Sequence, residues 1–311
     1  MGDGELRRAP AVSAGGLAAE YANCFPQLPA RLRFRGRVGS TGTSKSMAIT
    51  KYSLLAAAIL LSACKTVDPQ FTAIQPIAGA DPDRHIVVVY THGSTTARTP
   101  DGCDMNTNDR PWGIPKIVAE LEGQPVGSKT IRVHRFCTPS RTGEPLSSGN
   151  LSRSKVRNRT GDLLSLASEY RKAGFASGQI IFTGHSTGGY ASLLAQRDNS
   201  DTVAKVIAFG PAFAGKRTSR SPGESSAHNL FKEQIADAPN MNALVYVYEG
   251  DVYNRLEDLQ IWKSNSGIEM IAFYGREIDG VACGIPYAHH RVFDGCFRET
   301  QTQKLLEFIS R

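Results

Sequence analysis

"QIIFTGHSTGGYASLLAQR", residues 179–197, begins as a β-branched apolar run, turns through glycines about one serine, and continues at helical spacing. Within it, Gly184-His185-Ser186-Thr187-Gly188 fits G-x-S-x-G where a buried strand must become a helix. The positions two before and two after the serine must be small for so tight a turn. Such a turn lifts the serine hydroxyl above the carboxyl edge of a sheet, where open α/β sheets bind ligands. The helix that follows favours negative charge developing at its N-terminus. Ser186 is therefore the candidate nucleophile, against a purely structural or phosphate-binding turn.

Other apolar runs of strand length surround it: residues 85–90, 130–136, 204–210, 243–249 and 268–275. Several are continuous, as strands buried on both faces should be. Helical patterns lie between them, over 161–173, 187–197 and the closing "TQKLLEFISR". Alternating strands and helices imply an α/β domain over residues 85–311, a mostly parallel sheet with helices on both faces. Residues 138–161 read as a polar Arg/Ser-rich loop, and residues 211–241 are long enough only for a small cap.

A serine hydroxyl needs a base. Of seven histidines, only His289 and His290 follow the last strand, in "PYAHHRVFDG"; His92 and His185 sit in backbone-shaping positions beside the turns. The orienting carboxylate should lie between serine and histidine, just past a strand. "ALVYVYEGDVYN" offers Asp251, with Glu249 as runner-up. Ser186, Asp251 and His290 then stand in the Ser…Asp…His order. The oxyanion would take the amides of Thr187 and, after the first buried strand in "VVVYTHGSTTAR", of Ser94.

Residues 85–311 resemble the α/β-hydrolase superfamily, and "PYAHHRVFDG" is similar to the histidine segment of its dienelactone-hydrolase-like members. That resemblance implies an α/β-hydrolase fold with a small cap or none. It also aligns His290 with the catalytic position, with His289 packing behind it as the alternative. It implies carboxylic ester hydrolysis through an acyl-enzyme, with no cofactor and no metal. A glycine often precedes the family's histidine, whereas Ala288-His289 precedes His290 here.

The start of the chain carries a different message. "MAITKYSLLAAAILLSACKTVDP" from Met47 has one lysine, an apolar stretch, then Leu61-Ser62-Ala63-Cys64. Tyr52 to Ala63 is 12 residues, against roughly 20 for a membrane-spanning helix. This describes a secretory signal over 47–63. Its ending resembles a bacterial lipobox, which implies lipidation of Cys64 and a tether over 64–84. Lys65 after the cysteine implies sorting to the outer membrane, facing the periplasm. Residues 1–46 are expected to be a mis-called or disordered extension, or alternatively an Arg-rich imitation of a transit peptide.

Charge excludes one class. The formal net charge is +7, but residues 1–46 hold seven Lys/Arg against three acids. From residue 64 onward 28 Lys/Arg face 26 acids. The basicity belongs to the leader, so nucleic-acid binding loses its support. Four further cysteines, Cys103, Cys137, Cys283 and Cys296, suit an oxidising compartment. The preferred pairing is Cys103–Cys137 and Cys283–Cys296, each stapling a loop beside a proposed catalytic element.

The expected protein is a lipid-anchored serine hydrolase of the bacterial cell envelope acting on a small-molecule or lipid ester. A non-catalytic binding lipoprotein of the same fold, and an acyltransferase using the same triad, are its rivals.

Overall fold

β1 (His85–Thr91) is buried along its whole length because it packs on two sides. Val87 and Val89 enter one core, and Ile86, Val88 and Tyr90 enter the other. This computed structural model describes residues 74–93, 113–138 and 149–311, without the side chains of 149–154. The proposed extension 1–46 and signal 47–63, together with Cys64, Ser94 and Cys103, lie outside the described residues.

After β1 come α1 (Lys116–Ala119), β2 (Pro125–Val126), β3 (Lys129–Phe136) and α2 (Gly149–Lys172). Next are β4 (Ile180–His185), α3 (Thr187–Asp198), β5 (Lys205–Phe209), α4 (Pro222–Ala236) and β6 (Ala243–Tyr248). The chain ends with α5 (Leu256–Leu259), β7 (Ile268–Phe273), the short β8 (Glu277–Ile278) and β9 (Val281–Ala282), and α6 (Gly295–Ser310). The seven-stranded sheet runs β2-β3-β1-β4-β5-β6-β7. Only β2 is antiparallel in it.

All six strands expected from the apolar runs form, because parallel strands sandwiched between helices need continuous hydrophobic sequence. On one face α2, α3 and α4 contribute Leu163, Leu166, Leu193, Leu194, Phe231 and Ile235. On the other, α1 and α6 contribute Ile117, Val118, Phe297, Leu305 and Phe308. Each such side chain stabilises the fold by about 1.5–3 kcal/mol relative to exposure.

Three stretches take a definite form. Helix α2 starts at Gly149, so much of the expected loop over 138–161 is helical. Its buried residues are Val156, Arg159, Thr160, Leu163, Leu166, Ala167 and Tyr170, and two of these seven are polar. Residues 211–241 supply the crossover helix α4, whose Ala227, Phe231 and Ile235 pack in the core. A capping box between Ser221 and Glu224 starts that helix, with Pro222 at its first turn. Residues 74–84, expected as the end of a tether, lie on the body: Ile74, Ile77 and Ala80 pack against the core, and the Ile77 amide donates to the Tyr170 hydroxyl at 3.0 Å.

Candidate active site

Ser186 occupies the junction between β4 and α3 with φ 55° and ψ −122°. A non-glycine residue at positive φ is strained, at a cost on the order of 1–3 kcal/mol. Three hydrogen bonds hold it there: its amide donates to the Phe209 carbonyl at 3.0 Å, and its carbonyl accepts from the Tyr190 amide at 3.0 Å and the Ala212 amide at 3.1 Å. The glycines around it are demanded by close approach. A β-carbon on Gly184 would stand 2.5 Å from the Gly188 carbonyl carbon, and one on Gly188 would stand 2.2 Å from the Thr91 carbonyl oxygen. Thr187 is buried at the first position of α3. The positive end of the helix dipole at that position favours an anion.

Asp251 follows β6 and is 1% exposed. Its Oδ1 accepts from the Tyr253 amide at 2.7 Å, and its Oδ2 accepts from His289 Nδ1 at 2.6 Å. A carboxylate only accepts, so Nδ1 is the donor; in the neutral tautomer with that bond Nε2 carries the lone pair. Asp251 thus meets the first of the two adjacent histidines, where the sequence comparison had favoured His290. His289 is buried, with the Tyr253 ring 4.4 Å from its own. His290 is half-buried, its ring near Tyr287 and Phe293. Burial, then the neighbouring His289, lower the pKa of His290. Glu249 is exposed, and its backbone amide pairs with the Phe273 carbonyl at 3.0 Å.

His185, the residue before Ser186, ties these parts together. Its Nε2 lies 2.7 Å from the His289 carbonyl, and a carbonyl only accepts, so Nε2 donates. Burial, followed by the His289 ring, holds its pKa well below 6.5, so the imidazole is neutral. The same ring lies 4.7 Å from that of His289 and 5.1 Å from Phe293. Its Nδ1 faces Gly93, where an added β-carbon would come within 3.1 Å of it and within 3.0 Å of Ser186 Cβ.

The loop after β1 has an anchor that the sequence reading missed. Arg159 of α2 is buried and donates to the His92 carbonyl at 2.6 Å and to the Gly93 carbonyl at 3.4 Å. It falls within the 138–161 stretch that reads as a polar Arg/Ser-rich loop. Its helical spacing with Val156 and Leu163 was the available signal. Ser94, the expected second oxyanion donor, lies just beyond the described residues.

Cys283 and Cys296 form a disulfide that closes the segment carrying both histidines. Cys137 is also disulfide-bonded, its partner lying outside the described residues. Among the described residues, the one group of three His/Cys/Asp/Glu side chains close enough to hold a metal is Cys283, Asp294 and Cys296. With its two sulfurs bonded to each other, it has no thiolate to offer.

A glycine-flanked serine stands at a strand-to-helix turn of the parallel sheet, Asp251 follows β6, and His289 lies beyond β7 and the β8–β9 pair. The fold is that of the α/β-hydrolases. No family model matches this chain, and no curated protein does. Among solved structures it is similar to Est1E from Butyrivibrio proteoclasticus, with 12% identity and a TM-score of 0.47 over 73% of this chain and 88% of that one. It is similar to a monoacylglycerol lipase of Paleococcus ferrophilus, with 14% identity and a TM-score of 0.43 over 75% and 96%. A thermophilic esterase, Est2 of Thermogutta terrifontis, gives 12% and 0.40 over 75% and 84%. At such identities the likeness says nothing of substrate.

Proposed function

We propose that this α/β-hydrolase-fold protein is a serine hydrolase that cleaves a carboxylic ester, with Ser186 as nucleophile, His289 as base and Asp251 as the orienting acid. The observation that carries the reading is the buried Asp251–His289 pair, bound at 2.6 Å and linked through the His289 carbonyl to the residue preceding Ser186. A hydrogen-bonded acid fixes the imidazole with Nε2 unprotonated and stabilises it once charged. His289 takes the Ser186 proton as the oxygen attacks the carbonyl. The Thr187 amide, with one from the loop held by Arg159, receives the oxyanion. His289 then protonates the leaving alcohol, and water activated by the same nitrogen releases the acyl-enzyme.

The second half of the proposal concerns location. The lipobox-like ending Leu61-Ser62-Ala63-Cys64 supports export and anchoring to the bacterial cell envelope through a lipidated Cys64.

The test is fluorophosphonate labelling of the full chain beside Ser186→Ala, followed by a short-chain ester panel. Labelling in the parent and none in the mutant is the expected result. A folded parent that takes no label overturns the hydrolase reading and leaves a binding protein of the same fold. Ester turnover that needs an added alcohol would make it an acyltransferase.

A further inference from the structure

The turn carrying Asp251 has a second face, which looks onto a different cleft. The Val252 carbonyl accepts from the Arg217 amide at 3.0 Å. The Tyr253 carbonyl accepts from Arg220 Nη2, which also donates to Asn254 Oδ1 at 2.7 Å. Arg217, Arg220 and Lys232 line a cavity of about 480 Å³ together with His228 and Asp258.

The charges in this wall do not balance. The lining holds three cations and one carboxylate, and that carboxylate is already engaged by Arg217 Nε at 2.8 Å; Glu257, outside the lining, also meets Arg217, at 3.8 Å. Lys232 Nζ reaches only the backbone carbonyl of Asp258, at 2.9 Å. Among the described residues, two buried nitrogens of the lining side chains, Arg220 Nε and His228 Nε2, meet no hydrogen-bond partner. The Asn229 and Asn254 amides flank the His228 ring, but nothing of acceptable length and angle meets its Nε2. Burial lowers the pKa of both Lys232 and Arg220 despite the carboxylates near them, the mark of cations short of solvent. Buried polar groups in native proteins are nearly always satisfied. A surplus of donors in a concave polar wall therefore calls for an acceptor-only ligand.

We propose that the cleft bounded by Arg217, Arg220, His228 and Lys232 binds an oxyanion group, a carboxylate or a phosphate, against the turn that holds Asp251. Guanidinium and ammonium donors are suited to either group, and a charge-assisted bond of this kind is about twice as strong as a neutral one. The anion has two possible sources: a free small anion, or the acidic end of the ester hydrolysed at Ser186. Binding to the cleft goes beyond the hydrolase reading and does not depend on it. Only the second source does.

Calorimetric titration of the full chain with inorganic phosphate and with succinate tests the site without any turnover. The expected result is binding of at least one anion with a Kd below about 1 mM. Lys232→Gln and, separately, Arg217→Gln should each weaken it by about tenfold or more while the far-ultraviolet circular dichroism is unchanged. Parent protein that binds neither anion overturns the proposal, as does unchanged affinity in both folded variants. Hydrolysis assays then separate the sources. Phosphate that competes with a carboxylate-bearing ester but not with its neutral analogue identifies the acidic end of the substrate. Phosphate that binds and competes with neither identifies a free anion. Labelled, active enzyme without anion binding removes this site and leaves the hydrolase reading intact.

Discussion

His289 Nδ1 donates to Asp251 Oδ2 across 2.6 Å, while His290, next in sequence, stands with its ring 6.3 Å from Tyr287 and 6.2 Å from Phe293. The two lie on a short 3-10 turn, Ala288–Phe293. With three residues per turn, adjacent side chains diverge by about 120°, so one carboxylate orients only one of them.

The pair is separated by mutation. His289→Ala should lower kcat by about 10⁴-fold or more, because a triad acts as a unit. His290→Ala should stay within about tenfold of the parent, as a neighbour outside the proton path. Steady-state kinetics on a short-chain ester decides, and the reverse ranking would restore His290 as the base.

Gly188 lies against the Thr91 carbonyl, and a β-carbon there would overlap backbone, which cannot turn aside. Gly188→Ala should destabilise the protein by about 3 kcal/mol, the cost of overpacking a filled site. Urea denaturation measures it. A midpoint within error of the parent would mean that the elbow is looser than described.

The Cys283–Cys296 bond encloses the segment on which His289 rides. Removing it as Cys283→Ser/Cys296→Ser should cost about 3 kcal/mol for a loop of this size. Turnover should fall as well, since the His289 loop loses its tie. Thermal melts and kcat together check this; a variant matching the parent in both would leave the bridge without a part in holding the site.

His134 Nδ1 and the Tyr170 hydroxyl share a hydrogen bond at 2.9 Å, that hydroxyl also accepting from the Ile77 amide, and burial lowers the histidine pKa to about 4. His228 is lowered to about 3, by burial first. Both are neutral in the folded protein. Below pH 6.5 the unfolded chain takes up protons that the folded one refuses. Stability is thus fully present above that pH and is lost as pH falls toward 4, with a slope of at most about 1.4 kcal/mol per pH unit for each histidine. Urea midpoints at pH 7 and pH 5 test the trend. His134→Phe should flatten it, and an unchanged slope would remove His134 as its cause.

What the sequence by itself determined was local or ordered along the chain. Continuous apolar runs announce strands buried on both faces, because period and composition are properties of a short window. The elbow around Ser186 was legible because only small residues fit a strand turning into a helix within so few positions. The order of serine, acid and histidine limited the partners to Asp251 or Glu249 and to His289 or His290.

The tertiary structure decided what depends on residues far apart. Asp251 and His289 are 38 positions apart, and the turn after β6 together with the Tyr253 ring sets which imidazole faces the acid. His185 fixes the His289 carbonyl from 104 positions away. Arg159 reads as a solvent charge from its type, and becomes an anchor only because α2 begins early enough to bring it under the His92 and Gly93 carbonyls. Side-chain direction on a short turn, and burial of a cation on a helix, are set by packing between elements. No window of sequence contains that information.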